Sequence, residues 1–73
     1  MPKSTFAICL QNNGYEASLE RCKLYRILPD TEAEQHDQLR VIDESGDDYL
    51  YPKGFFAVVD LPEALEQQIL RAA

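Results

Sequence analysis

The 73-residue chain has no tryptophan, one histidine, two cysteines and no long apolar segment. No stretch approaches the roughly 20 apolar residues that cross a bilayer, and the first residues lack the apolar core and cleavage site of a signal peptide. We therefore expect a cytoplasmic protein with no membrane partner. In that compartment Cys9 and Cys22 are expected as reduced thiols, with a disulfide between them as the alternative.

The chain is also too short for a second hydrophobic core. At 8.3 kDa it fits a single domain over residues 1–73, and an apolar content of 45% is sufficient for a compact fold. Domains of this size often need a partner to supplement their core, so a homodimer is one interpretation.

Basic residues are few, and the acidic residues are concentrated in one segment. The chain has seven bases against thirteen acids, and residues 30–48 contain eight of the acids and one of the bases. Affinity for nucleic acid needs clustered positive charge, so direct binding to DNA or RNA is not expected. The acidic segment is interpreted either as a solvated loop face or as a surface that attracts a basic protein or peptide.

Turn residues divide the chain into short apolar segments. Strands are predicted near residues 4–10, 23–28, 38–43, 48–51 and 55–59, and a helix near residues 62–71. In the first strand Phe6, Ile8 and Leu10 share one face, and the small residues Ala7 and Cys9 share the other. Short strands separated by turns indicate a mainly β domain, either a small antiparallel barrel or a strongly bent sheet.

Local signals predict the segments between these strands. Residues 15–23 favour a loop over a short helix, residues 31–36 predict one helical turn capped by Thr31, and Gly46 predicts a hairpin turn. In the C-terminal helix, apolar residues recur at helical spacing, which predicts a face that packs on the sheet or on a partner.

Three segments resemble a known family: NNGYEASLE over residues 12–20, KLYRILPD over 23–30 and RVIDESGDDYLYP over 40–52. Over most of its length the chain is similar to a family of short, largely uncharacterised bacterial proteins with an SH3-like β-barrel. The resemblance implies a small SH3-like antiparallel barrel of about five strands with a C-terminal helix, in which RVID and DYLY pair across the ESGD turn. It implies no activity and no catalytic residue. The polyproline groove of signalling SH3 domains is not expected, because an ALYDY-type motif and tryptophan are absent.

The best binding candidates are the tyrosines, because each combines a rigid apolar ring with a hydroxyl group. They are Tyr15, Tyr25, Tyr49 and Tyr51. The acidic candidates are the carboxylates of the predicted hairpin, Asp43, Glu44, Asp47 and Asp48. Exposed rings beside carboxylates suit a peptide that carries arginine or lysine. The alternative is that the rings complete the core.

No catalytic or metal-binding signature stands out. DESGDD, residues 43–48, lacks the ligand spacing and the glycine position of a calcium loop, and Cys9, Cys22 and His36 lack the close ligand pairs of a zinc site. We therefore expect no enzyme, no metal and no cofactor. The sequence favours a non-catalytic protein or peptide interaction module, with a structural or assembly role as a homodimer as the alternative.

Overall fold

A computed structural model describes residues 6–72, in which five short strands form one antiparallel sheet. They are β1 (Phe6–Cys9), β2 (Leu24–Leu28), β3 (Gln38–Ile42), β4 (Asp48–Pro52) and β5 (Phe56–Val59). All five predicted strands are confirmed. Residues 4 and 5 of the first prediction lie outside the described residues, and Leu10 lies beyond the end of β1.

The strand order in the sheet is β4, β3, β2, β1, β5. The first four strands pair with their neighbours along the chain, and β5 returns to the other side of β1. Among the described strands, β4 and β5 each pair on one side only. The fold is therefore a mainly β, five-stranded antiparallel sheet, and the closed barrel expected from the sequence is not formed by these ladders.

The core lies on one face of the sheet. It contains a cluster of buried side chains from all five strands and from the loop after β1: Ala7, Cys9, Leu19, Tyr25, Ile27, Leu39, Val41, Tyr51 and Phe56. In β1 the small residues face this core, because Ala7 stands opposite Tyr25 and Cys9 opposite Phe56. Both small side chains are fully buried beside these rings.

The loop between β1 and β2 ends in a β-bulge. The Cys22 N–H donates to the Cys9 carbonyl at 2.7 Å, and the Cys9 N–H donates to the Lys23 carbonyl at 2.9 Å. Cys22 and Lys23 therefore both lie opposite Cys9, as in a β-bulge, and Cys22 takes the left-handed conformation with φ 66°. Both cysteines are free thiols, Cys9 buried and Cys22 exposed, and burial raises the pKa of Cys9.

Helix α1 (Thr31–Gln35) connects β2 to β3. The predicted Thr31 cap is wrong, because Asp30 precedes the helix in extended conformation and its carboxylate accepts a 3.0 Å hydrogen bond from the Ala33 N–H. The helix ends at Gln35, and Asp37 in the turn that follows takes a left-handed φ of 56°. A single 3₁₀ turn, Lys53–Phe55, then separates β4 from β5.

Helix α2 (Glu63–Ala72) follows β5 and confirms the predicted C-terminal helix. It contains no buried residue, and Leu65 is 42% exposed. Its apolar face is therefore covered only in part. Within residues 6–72, no helix combines the length and apolar character needed to cross a membrane.

Candidate functional site

The β3–β4 hairpin turn carries the acidic candidates. The Asp43 N–H donates to the Asp47 carbonyl at 3.1 Å, and the Gly46 N–H donates to the Asp43 carbonyl at 3.0 Å. Gly46 has φ +88°, which glycine adopts without steric strain. The predicted hairpin and the predicted role of Gly46 are confirmed, and the turn is a short loop closed by a left-handed residue.

Asp43 lies inside the protein, although the sequence places it among the acidic residues of a surface hairpin. It is 6% exposed, and its carboxylate accepts hydrogen bonds from the Tyr51 hydroxyl at 2.6 Å and from the Ser45 N–H at 2.9 Å. Burial opposes ionisation of Asp43, but the hydrogen bonds from Ser45 and Tyr51 outweigh it and hold its pKa below the ordinary value. Asp43 is thus a buried anion with its acceptor positions in use.

Glu44 joins the hairpin to the β1–β2 loop. Its carboxylate accepts hydrogen bonds from the Tyr25 hydroxyl and, at 2.6 Å, from the Lys23 ammonium. The Glu44 N–H donates to the Ser18 carbonyl at 3.0 Å. The Lys23 bond, followed by that of Tyr25, lowers the pKa of Glu44. Burial, followed by the bond to Glu44, raises the pKa of Tyr25. This carboxylate therefore fixes the loop against the hairpin.

The four candidate tyrosines divide into two classes. Tyr25 and Tyr51 are 5% and 3% exposed and belong to the core, as the alternative interpretation predicts. Burial and the Asp43 carboxylate raise the pKa of Tyr51 to about 12. Tyr15 and Tyr49 are 39% and 52% exposed. Only these two rings are available to a partner.

Tyr15 is held in position by other aromatic rings. Its ring packs against the Tyr51 ring in a T-shaped arrangement, with a centroid distance of 4.9 Å and an interplanar angle of 82°, and it lies 6.0 Å from the ring of Phe55. The Tyr15 carbonyl accepts a hydrogen bond from the Leu19 N–H at 2.9 Å, and Leu19 is fully buried. The loop residue Leu19 therefore anchors the backbone that presents Tyr15.

Tyr15 and Tyr49 border a cleft of about 350 Å³, which we call the tyrosine cleft. Its lining residues come from the β1–β2 loop, the hairpin turn and β4: Tyr15, Ser18, Asp43, Ser45, Tyr49, Leu50 and Tyr51. Leu50 is 39% exposed. Because the polar groups of Asp43 and Tyr51 bind each other, the cleft offers apolar and aromatic surface.

A second cleft, of about 280 Å³, lies beside α1, and we call it the α1 cleft. It is lined by residues of α1, β3 and β4: Asp30, Glu32, Ala33, His36, Gln38, Arg40 and Leu50. Arg40 donates to Asp30 at 2.8 Å and to Asp48 at 3.3 Å. Hydrogen bonds from the Ala33 N–H and from Arg40 lower the pKa of Asp30.

Asp47 and Asp48 form the exposed half of the acidic turn. Asp48 is the partner of Arg40, whereas the Asp47 carboxylate makes no hydrogen bond or ion pair with any residue in the described range. The four acidic candidates are thus not one surface. Asp43 and Glu44 hold tyrosine hydroxyls in place, whereas the side chains of Asp47 and Asp48 face solvent.

Two features escaped the sequence analysis. Leu50 lines both clefts, and the signal for it was its position between two tyrosines in DYLYP, where strand alternation turns it to the opposite face. A third cleft, of about 390 Å³, has Ile27, Leu39 and Val58 among its lining residues. It joins parts of β2, β3 and β5 that are distant in sequence, so no local pattern indicates it.

Cys22 lies beside Cys9 in the bulge, whereas His36 follows α1, and no group of three or more His, Cys, Asp or Glu side chains in residues 6–72 is placed to hold a metal ion. Of the acids in residues 43–48, Asp43, Glu44 and Asp48 each bind different residues, and the Asp47 carboxylate binds none of the described residues. No family model matches the chain, and no curated protein or solved structure shows significant similarity to it.

Proposed function

We propose that this protein is a non-catalytic interaction module that binds a protein or peptide segment in the tyrosine cleft. The observation that carries the proposal is the exposure of Tyr15 and Tyr49 in the lining of the cleft, while the buried Tyr51 in the same lining is held by Asp43. Large rigid aromatic side chains at the border of a concave surface are the residues that most often dominate binding energy.

The hydrogen bonds around the cleft favour binding because they order it in advance. Tyr15 is oriented by Tyr51, and the loop that carries it is tied to the hairpin through Glu44. A partner therefore does not have to immobilise these elements, and less binding energy is lost to ordering.

Charge favours a basic partner. The chain carries −6 overall, and the exposed carboxylate of Asp47 stands on the turn that borders the cleft. Negative potential at such a surface raises the association rate of positively charged ligands and disfavours nucleic acid.

The SH3-like barrel implied by the resemblance is part of this proposal. Its support is the strand order β4, β3, β2, β1, β5, in which β2 is shared by two ladders, together with the 3₁₀ turn before the last strand. The cytoplasmic location and the bacterial origin that accompany it stay predictions.

Selection of peptides from a random display library tests the function. Wild-type protein would be immobilised, and the selected peptides would be compared on Tyr49→Ser and on Val58→Ser. Val58 is the matched control, because it is an exposed apolar strand residue at 44% exposure and lines the third cleft.

The expected peptides contain arginine or lysine, bind wild type and Val58→Ser equally, and lose at least about tenfold in affinity on Tyr49→Ser. Peptides that bind all three proteins equally, or no enriched peptides at all, would contradict the tyrosine cleft as the binding site.

A structural role as a homodimer is the second candidate function, favoured by the exposed Leu65 on α2, a helix that contains no buried residue. Sedimentation equilibrium of wild type and Leu65→Gln tests it. A dimer in wild type that dissociates in the variant is the expected result, because the exposed leucine would lie in the interface. A monomeric wild type at high concentration would contradict it.

A further inference from the structure

The outer edge of β4 carries hydrogen-bonding groups that point away from the sheet. The Asp43 N–H donates to Asp47, and the Lys53 N–H donates to the Asp37 carbonyl at 2.9 Å. In an antiparallel ladder such bonds recur at every second residue, so Tyr49 and Tyr51 bond to β3. The backbone groups of Asp48 and Leu50 therefore face outward.

The position of Pro52 agrees with the outward orientation of the Asp48 and Leu50 backbone groups. Pro52 has the same orientation as Asp48 and Leu50, so its missing N–H removes no bond from the ladder with β3. No strand within residues 6–72 pairs with this edge. The N–H groups of Asp48 and Leu50 are thus donors at an uncovered strand edge.

A cleft lies on each side of that edge. Tyr49 and Tyr51 direct their side chains to the tyrosine cleft, and Leu50 lines both this cleft and the α1 cleft. Successive side chains of a strand point to opposite faces of a sheet. A strand added beside β4 would therefore place alternate side chains in the two clefts.

We infer that the ligand of this site is an extended peptide segment with alternating apolar and basic residues, which adds to the sheet as a strand beside β4. The inference rests on the proposed function and specifies its ligand. Main-chain hydrogen bonds supply affinity in this mode, and the clefts select alternate side chains.

The chemistry of the two clefts determines why apolar and basic residues alternate in the proposed peptide. The tyrosine cleft offers rings and Leu50, which suit an apolar side chain. On the opposite face, the α1 cleft contains Asp30 and Glu32 with one base, Arg40, and Asp48 lies on that same face of β4. The acids outnumber the base there, so a positively charged side chain is the complementary one.

The other available strands fit less well. At the edge of β5, the Phe56 N–H already donates to the Lys53 carbonyl. A second copy of β4 paired in antiparallel fashion about Leu50 would set Asp48 opposite Pro52, which has no N–H, and would bring together two chains of charge −6.

The test uses a synthetic peptide of alternating valine and arginine, blocked at both ends, and isothermal titration calorimetry. Two methylated isomers are compared, one with N-methyl groups on every valine and one with them on every arginine. In a strand, the N–H groups of alternate residues point to opposite edges, so only one isomer blocks the bonds to β4. A peptide of the same composition, with the valines and arginines in separate blocks, controls for charge alone.

The unmethylated alternating peptide is expected to bind, and one methylated isomer is expected to bind at least about tenfold more weakly than the other, because it loses several hydrogen bonds. Methylated arginine is the weaker isomer if the strand adds antiparallel to β4, and methylated valine if it adds parallel. Equal affinities of the two isomers, or equal binding of the block peptide, would overturn strand addition.

Variants of the protein test the same edge. Leu50→Pro removes an outward N–H, and Leu50→Ala separates this loss from that of the side chain. Val58→Pro is the control, because Val58 takes the corresponding outward position on β5. We expect Leu50→Pro to reduce peptide affinity at least about fivefold below Leu50→Ala, and Val58→Pro to leave it unchanged. Circular dichroism verifies that each variant is folded.

The failures of the two proposals differ. If selected peptides require Tyr49 but tolerate Leu50→Pro, strand addition is overturned and the tyrosine cleft stands. If no peptide requires Tyr49, both peptide binding in the tyrosine cleft and strand addition beside β4 are overturned. If wild-type protein forms a dimer that Leu50→Pro abolishes, the occupant of the edge is a second copy, and the peptide is overturned.

Discussion

The two halves of the acidic turn have the same charge but different hydrogen-bond partners. Asp43 and Glu44 bind the hydroxyls of Tyr51 and Tyr25, whereas Asp47 and Asp48, on the other side of Gly46, are exposed and bind no tyrosine. The comparison shows that composition does not distinguish a structural carboxylate from a surface one. A carboxylate of this turn is structural where a tyrosine hydroxyl donates a hydrogen bond to it.

The difference originates in the geometry of the hairpin. Asp43 follows β3 in the orientation of Leu39 and Val41, whose side chains face the core, so its carboxylate reaches the Tyr51 hydroxyl. Asp48 has the opposite orientation and meets Arg40 on the outer face. Strand alternation thus sends neighbouring acids to opposite faces of the sheet.

The largest expected effect comes from removing the buried anion. Asp43→Ala leaves the Tyr51 hydroxyl and the Ser45 N–H without their acceptor, and we expect it to lower the free energy of unfolding by about 3 kcal/mol. Urea denaturation at low temperature measures the change. Asp47→Ala, on the same turn, is the matched control. Similar losses in the two variants would erase the distinction between the two halves of the turn.

A smaller loss is expected from removing one hydroxyl. Tyr51→Phe keeps the ring in the core but takes a hydrogen bond from Asp43, which should cost about 1–2 kcal/mol. Tyr49→Phe, on the same strand with a 52% exposed ring, should be neutral. Thermal unfolding of both variants compares them directly, and a neutral Tyr51→Phe would show that its hydrogen bond does not stabilise the fold.

Acidification should weaken the structural half of the turn. The hydrogen bonds from Ser45 and Tyr51 to Asp43, and from Lys23 and Tyr25 to Glu44, lower the pKa of each carboxyl, so the folded state holds these protons less tightly than the unfolded state. The stability they contribute is present above their ordinary values of 3.8 and 4.5 and is lost as pH falls through the folded-state values.

Denaturant unfolding between pH 6 and pH 2 measures this loss. The slope of stability against pH should be shallower in Asp43→Asn than in wild type, since the titrating group is absent. An unchanged slope would mean that Asp43 does not contribute to acid unfolding.

The smallest expected effect on stability belongs to Asp47. Asp47→Asn removes a carboxylate with no partner among the described residues, so the melting temperature should not change measurably. The association rate of a basic peptide should fall, and more so at low salt, because the field at the cleft is reduced. Stopped-flow binding at two ionic strengths measures it. A rate that does not change would contradict steering by this half of the turn.

Local pattern predicted much of the fold. Alternation and turn residues located all five strands, and Gly46 and the acids around it indicated the hairpin. The sequence predicts Thr31 as the N-cap of α1 instead of Asp30, because both residue types cap helices and only the extended backbone of Asp30 distinguishes them. The candidate site was predicted as a set of residues without their division into buried and exposed members.

What the sequence determined by itself was therefore the number and type of elements, since these depend on side-chain periodicity and turn conformation along the chain. The tertiary structure decided which face of β1 joins the core cluster, which tyrosines reach solvent and which carboxylates bind a tyrosine hydroxyl. These depend on register between strands: Ala7 is buried because Tyr25 stands opposite it, and Asp43 is buried because Tyr51 donates to it. Such contacts join residues that no local pattern relates.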